Sequence, residues 1–123
     1  MRILVCGGRN YTDRNHVWNT LCEIDAARGP ITCIIHGAAT ETDTEAMYWA
    51  QTERINERKI LHAPFVADWR QYGNAARAIR NARMIENGRP DLVVAFPGGK
   101  GTADCVRQAR TAGIEVMEVA GRK

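Results

Sequence analysis

The chain has 123 residues, 45% hydrophobic and 25% charged, a globular composition that fits one domain and excludes disordered, collagen-like and low-complexity architectures. Lys and Arg number 17 against 14 Asp and Glu, and the resulting net charge of +3 is too mild to mark a nucleic-acid binder. No apolar stretch reaches the roughly 20 residues of a bilayer-spanning helix, and the opening Met1 to Cys6 lacks the pattern of a secretory leader, so a cytoplasmic protein without membrane partners is expected.

In chain order, five short apolar runs alternate with helical stretches. The runs are Arg2 to Cys6, Ile31 to His36, Lys59 to Ala63, Asp91 to Phe96 and Ile114 to Val119. Their Val/Ile/Leu character suits strands covered on both faces, and the alternation predicts βαβ units feeding a mainly parallel five-stranded sheet, an α/β fold over residues 1–123. The first helix is expected from Thr12-Asp13 to Arg28, with Val17, Leu21 and Ile24 inward and Gly29-Pro30 as its stop. The second starts at Thr42, whose spacing to Glu45 is that of a capping box, and runs to a charged end at Glu57-Arg58-Lys59. The third spans Asn74 to Glu86, with Ala75, Ile79, Ala82 and Ile85 on one stripe and Arg77, Arg80 and Met84 on another. The fourth starts at Gly101-Thr102 and stops before Gly113.

Parallel strands joined by helical crossovers place every strand-to-helix loop on one edge of the sheet, so the chemistry collects there. The strongest signal is Pro97-Gly98-Gly99-Lys100-Gly101-Thr102, a glycine-rich turn leading into a helix, where amide donors and the helix dipole favour phosphate. The segment has neither the Walker spacing nor the Gly-x-Gly-x-x-Gly pattern, which leaves a P-loop NTPase and an ordinary dinucleotide dehydrogenase unsupported. Gly7-Gly8-Arg9 repeats the same logic with a guanidinium added, and in a doubly wound sheet the Gly8 and Gly99 loops would face one another across a crevice. Gly37 leads the loop between them, and Asp43 is open to two roles, as a helix cap or as an acceptor for ribose hydroxyls.

Asp68 and Trp69 lie in a long aromatic loop, where the indole can stack on a base, close the core or bury a dimer contact. Arg80 and Asn81 are candidates to reach a phosphate, while Asp104 and Cys105 stand near the start of the last helix, where a thiol pKa can fall. His36 and His62 are positioned to meet at strand ends, but His16, His36 and His62 lack metal-ligand spacing, so no metal is expected. The chain contains no serine, which excludes serine hydrolase chemistry. Trp18, Tyr48 and Trp69 are candidates for an apolar patch, and a homo-oligomer is expected.

Taken together, Gly7-Gly8-Arg9 with Asp13, His36-Gly37-Ala38 through Asp43 and Ala46, Trp49-Ala50, Ala67-Asp68-Trp69, Arg80-Asn81 through Met84, and Phe96-Pro97-Gly98-Gly99 with Gly101-Thr102 form an ordered set. In these motifs the chain resembles, end to end, the SLOG superfamily, and within it the YpsA-related branch. The resemblance implies a Rossmann-like three-layer sandwich and a nucleotide or nucleotide derivative, NAD- or ADP-ribose-like or a nucleoside phosphate, in the crevice; no resident cofactor is expected. It is similar, more distantly, to the phosphoribohydrolases that cleave the N-glycosidic bond of nucleoside monophosphates. Those enzymes carry Pro-Gly-Gly-x-Gly-Thr followed by a catalytic glutamate, whose place Cys105 holds here, and an arginine that looks similar to Arg80. Three readings follow: a nucleotide binder or sensor, a phosphoribohydrolase using Asp104 and Arg80, and a DNA-binding module, the last disfavoured by the mild charge.

Overall fold

The computed structural model describes residues 1–55, 58 and 60–120. Its five strands are β1 (Arg2–Cys6), β2 (Cys33–His36), β3 (Leu61–Pro64), β4 (Leu92–Ala95) and β5 (Glu115–Glu118), and its helices are α1 (Arg14–Ala27), α2 (Glu41–Ile55), α3 (Trp69–Tyr72), α4 (Ala76–Glu86) and α5 (Lys100–Thr111). All four strand pairings are parallel and the order is β3-β2-β1-β4-β5. The chain therefore reverses its direction of winding between β1 and β4, the place where an open α/β sheet leaves a crevice beyond its strand ends.

Alternation along the strands divides the core into two layers. Ile3 and Val5 of β1 point with Leu92 and Val94 of β4 toward Val17, Leu21 and Ile24 of α1 and Ala46, Trp49 and Ala50 of α2. Leu4 and Cys6 point the other way, with Val93 and Ala95, toward Met84 and Ile85 of α4 and Cys105, Val106 and Ala109 of α5. The result is the three-layer α/β sandwich with a five-stranded parallel sheet that the sequence predicts. β1, β2 and β4 are buried almost throughout, whereas β3 and β5 expose both ends because each has a single neighbour.

Boundaries differ where side chains decide them. Asp13 caps α1, accepting from the His16 amide at 3.1 Å, as expected of a helix opening at Thr12-Asp13. The helix expected from Asn74 to Glu86 is found as α4, entered from a 3-10 turn, and the stretch before it that reads as loop carries the short helix α3. Asp68 caps α3 through the Gln71 amide at 3.0 Å, Gly73 breaks it at φ 55°, and a 3-10 turn over Gly73–Ala75 leads into α4. Lys59 and Glu57, placed by the sequence at the third strand's start and the second helix's end, lie outside the described residues. Among the described residues, no helix is long and apolar enough to cross a membrane.

Candidate functional site

A crevice of about 360 Å³ opens over the carboxyl ends of β1, β2 and β4. Its base is set by the meeting of two loops. The Gly8 amide donates to the Pro97 carbonyl at 2.8 Å, and a Cβ on Gly8 would stand 2.9 Å from both the Gly98 Cα and the Pro97 oxygen. Only glycine permits that backbone approach. Gly98 lies against Thr102 in the same way. The sequence offers these glycines as donors to a ligand, whereas the structure uses Gly8 and Gly98 to join two loops and leaves Gly99 facing open space.

Two helices begin at this crevice. At α2 the Thr40 hydroxyl accepts from the Asp43 amide at 3.1 Å, and the Asp43 carboxylate accepts from the amides of Ala39 and Thr40 at 3.0 and 3.3 Å. This reciprocal box replaces the expected Thr42–Glu45 pair. Glu45 is drawn instead to α1, accepting from the Trp18 indole at 3.0 Å and pairing with Arg14, with Trp18 partly buried against the core. At α5 the cap position is Gly99, with no side-chain cap bond and no acidic residue in the first turn. That helix presents its first amides and the positive end of its dipole to the crevice.

Four cations line the same space: Arg9, Arg77, Arg80 and Lys100, against one carboxylate, Asp43. Arg80 is fixed by two bonds, from Nη1 to the Gly37 carbonyl at 2.8 Å and from Nε to Asn81 Oδ1 at 3.0 Å. A Cβ on Gly37 would collide with that guanidinium. Burial pulls the Arg80 pKa below its ordinary value, with the Asp43 charge opposing. Buried Asn81 extends the support, donating to the Gly101 carbonyl at 3.2 Å and to Asp104 at 3.0 Å. Arg77 lies over the Trp69 ring, 5.5 Å from its centroid, and Trp69 keeps half its surface exposed.

Below the cations are two thiols. Cys6 at the end of β1 and Cys105 on α5 both line the crevice and belong to one core layer. The influence of Cys6, aided by the Arg80 charge, lowers the Cys105 pKa against burial, while the influence of Cys105 and burial raise that of Cys6. His36 and His62 also meet, with Nε2 and Nδ1 at 3.3 Å and rings stacked 5.5 Å apart. The Ala38 amide donates to His36 Nδ1 at 3.1 Å, which fixes the turn carrying Gly37. Burial lowers the His36 pKa. Among the described residues, no three His, Cys, Asp or Glu side chains converge to hold a metal ion.

Of the residues singled out by sequence, Gly7, Gly8, Arg9, Gly37, Asp43, Trp69, Arg80, Asn81, Gly99, Gly101 and Thr102 line the crevice. Pro97 and Gly98 lie behind it, engaged in the loop-to-loop contact, and Asp68 is turned away as the α3 cap. Asp104 is also outside. Burial pushes its carboxyl up, but hydrogen bonds from Asn81, Arg107 and Gln108 outweigh that and hold it below the ordinary carboxylate range. An ionised, fully engaged carboxylate is a poor general acid. Arg77 and Lys100 were not among the sequence candidates for the ligand. Their cue was position, Lys100 at the first place in a glycine-led helix and Arg77 one turn before Arg80.

The profile of the YspA, cpYpsA-related SLOG family matches residues 1–72 of the chain. The chain is also similar to the Gene 61 protein of Mycobacterium phage D29, with 37% identity over 122 residues covering 94% of each chain. The matched segment carries the Gly7-Gly8-Arg9 and Gly37-to-Asp43 loops that form two walls of the crevice, which fits a function related to nucleotides in the broad sense. By the family match over residues 1–72, more than half of its length, the chain belongs to the YspA, cpYpsA-related SLOG family.

Proposed function

We propose that the crevice binds a phosphorylated nucleotide or nucleotide derivative, with its phosphate at the start of α5. The observation that carries this reading is the coincidence of an uncapped helix start at Gly99 with Arg9, Arg77, Arg80 and Lys100 in one crevice. Amide donors and a helix dipole attract an anion, and guanidinium groups add paired hydrogen bonds to phosphate oxygens. Arg80 enters this arrangement already oriented by Gly37 and Asn81, which reduces the ordering that binding requires.

Asp43 supplies the contrasting end. It is buried at 5% exposure and gives one oxygen to the amides of its own loop, and its position on the crevice wall suits acceptance from a ribose hydroxyl. The half-exposed Trp69 face, already carrying Arg77, offers an aromatic surface at the mouth for a base. Binding is favoured over hydrolysis of the N-glycosidic bond because Asp104, the acid such a reaction would use here, is engaged by three side chains outside the crevice.

Calorimetric titration with nucleoside mono- and diphosphates and ADP-ribose tests the reading. Saturable binding that weakens about tenfold or more in Arg80→Met supports it, since tenfold corresponds to about 1.4 kcal/mol. Absence of binding across that panel by the folded chain rejects it.

A further inference from the structure

Two arginines of the crevice are held in different ways. Arg80 is fixed by bonds of its own guanidinium, whereas Arg9 is exposed and its side chain makes no hydrogen bond or ion pair among the described residues. The backbone decides where Arg9 starts. The Tyr11 amide donates to the Gly8 carbonyl at 3.3 Å, closing a turn with Arg9 and Asn10 at its central positions. One end of that turn is tied by the Gly8 amide to the Pro97 carbonyl at 2.8 Å. The other end is tied by a side chain: the Tyr11 ring stacks on Phe96, with centroids 6.0 Å apart and planes at 27°, and its hydroxyl is hydrogen-bonded with Nδ1 of His16. His16 meets the same Phe96 ring edge-on at 5.9 Å. Phe96 is 1% exposed, and it immediately precedes Pro97 and the glycines that open α5. Both ends of the Arg9 turn therefore rest on consecutive residues leaving β4, the same residues that lead to the open helix start at Gly99.

We infer that Tyr11 is a positioning residue for anion binding: by stacking on Phe96 it holds the Gly8–Tyr11 turn in place beside the α5 start and so presents Arg9 to the phosphate. The phosphate rests on the nucleotide reading above, whereas the ordering of the turn stands apart from it. An arginine on a loose loop loses both backbone and side-chain freedom when it grips a ligand, and a turn tied at both ends has given up the backbone share beforehand. Tyr11 is not among the residues lining the crevice, so its effect on binding runs through Arg9.

Nitrogen-15 relaxation of the intact, ligand-free chain tests the ordering. The Arg9 and Asn10 amides are expected at rigid order parameters of about 0.85 in the wild type and below about 0.6 in Tyr11→Ala. Tyr11→Phe, which keeps the ring, is expected to restore most of that order. Unchanged order at Arg9 and Asn10 in Tyr11→Ala overturns the inference. Calorimetric titration with ADP measures the consequence. Tyr11→Ala is expected to weaken binding about fivefold or more, Tyr11→Phe to regain most of the loss, and Tyr11→Ala placed in an Arg9→Ala background to add less than about twofold, because both changes remove the same interaction. A Tyr11→Ala loss that persists in full without Arg9 marks a merely structural role and also overturns the inference. Where Tyr11→Ala does not fold, Tyr11→Leu carries the same comparisons, since it fills the space without a ring to stack. The relaxation result decides the ordering even if the wild-type chain binds no ADP, an outcome that strikes the nucleotide reading alone.

Discussion

Helices α2 and α5 start on one crevice, yet the amides of the first are closed by Thr40 and Asp43 whereas the second begins at Gly99 with no side-chain cap. The difference assigns work to the two walls. A helix whose start is filled by its own carboxylate is complete, rigid and of no attraction to an anion; one whose start is open and surrounded by Arg9, Arg77, Arg80 and Lys100 gains by accepting one. The α2 wall supplies shape and a single acceptor, and the α5 wall supplies charge.

The comparison breaks most severely if the closed start is opened. Asp43→Ala leaves the Ala39 and Thr40 amides without their acceptor in a buried loop, and a loss of about 1–3 kcal/mol is expected in chemical denaturation. Asp43→Asn retains an acceptor oxygen and is expected to lose less.

Closing the open start is the converse. Gly99 has ordinary backbone φ of −101° and nothing within 4 Å of a Cβ, so Gly99→Asp is sterically free to cap α5. A gain of about 0.5–2 kcal/mol in stability is expected, together with at least about tenfold weaker nucleotide binding. A variant that is more stable and binds unchanged would remove α5 from the phosphate site.

A smaller effect is expected from Arg77→Ala, which removes one exposed-side cation and its contact with Trp69. Binding should weaken several-fold and lose part of its salt dependence in titrations at varied ionic strength, with stability nearly unaffected.

The smallest effect concerns pH. Burial lowers the His36 pKa, so the unfolded chain binds the proton more readily and stability falls as pH drops below the ordinary histidine value of about 6.5. Asp25, lowered by its hydrogen bond from Arg58, acts in a separate window below about pH 4. Thermal melts from pH 7 to 5 should show a decline that His36→Asn removes.

The chain was readable where one residue's neighbours in sequence decide its state. Val17, Leu21 and Ile24 mark α1 by spacing, and Asp13 before them marks its cap. At α2 local reading failed for a definable reason: Thr40–Asp43 and Thr42–Glu45 share the same spacing. Trp18 and Arg14 of α1 take Glu45, and Thr42 is buried against Gly7, which leaves the box to Thr40. The stretch before Asn74 reads as loop because the four helical residues Trp69–Tyr72, capped by Asp68 and ended by Gly73, are too few to show a periodicity.

Element type, the α/β alternation and the collection of loops at one edge are properties of the sequence alone, since periodicity and chain direction set them. Which loops touch is set by the order β3-β2-β1-β4-β5, and only that pairing brings Gly8 to Pro97 and Arg80 to Gly37. Such contacts join residues distant along the chain, and their free energies come from packing two sheet faces that no local pattern encodes.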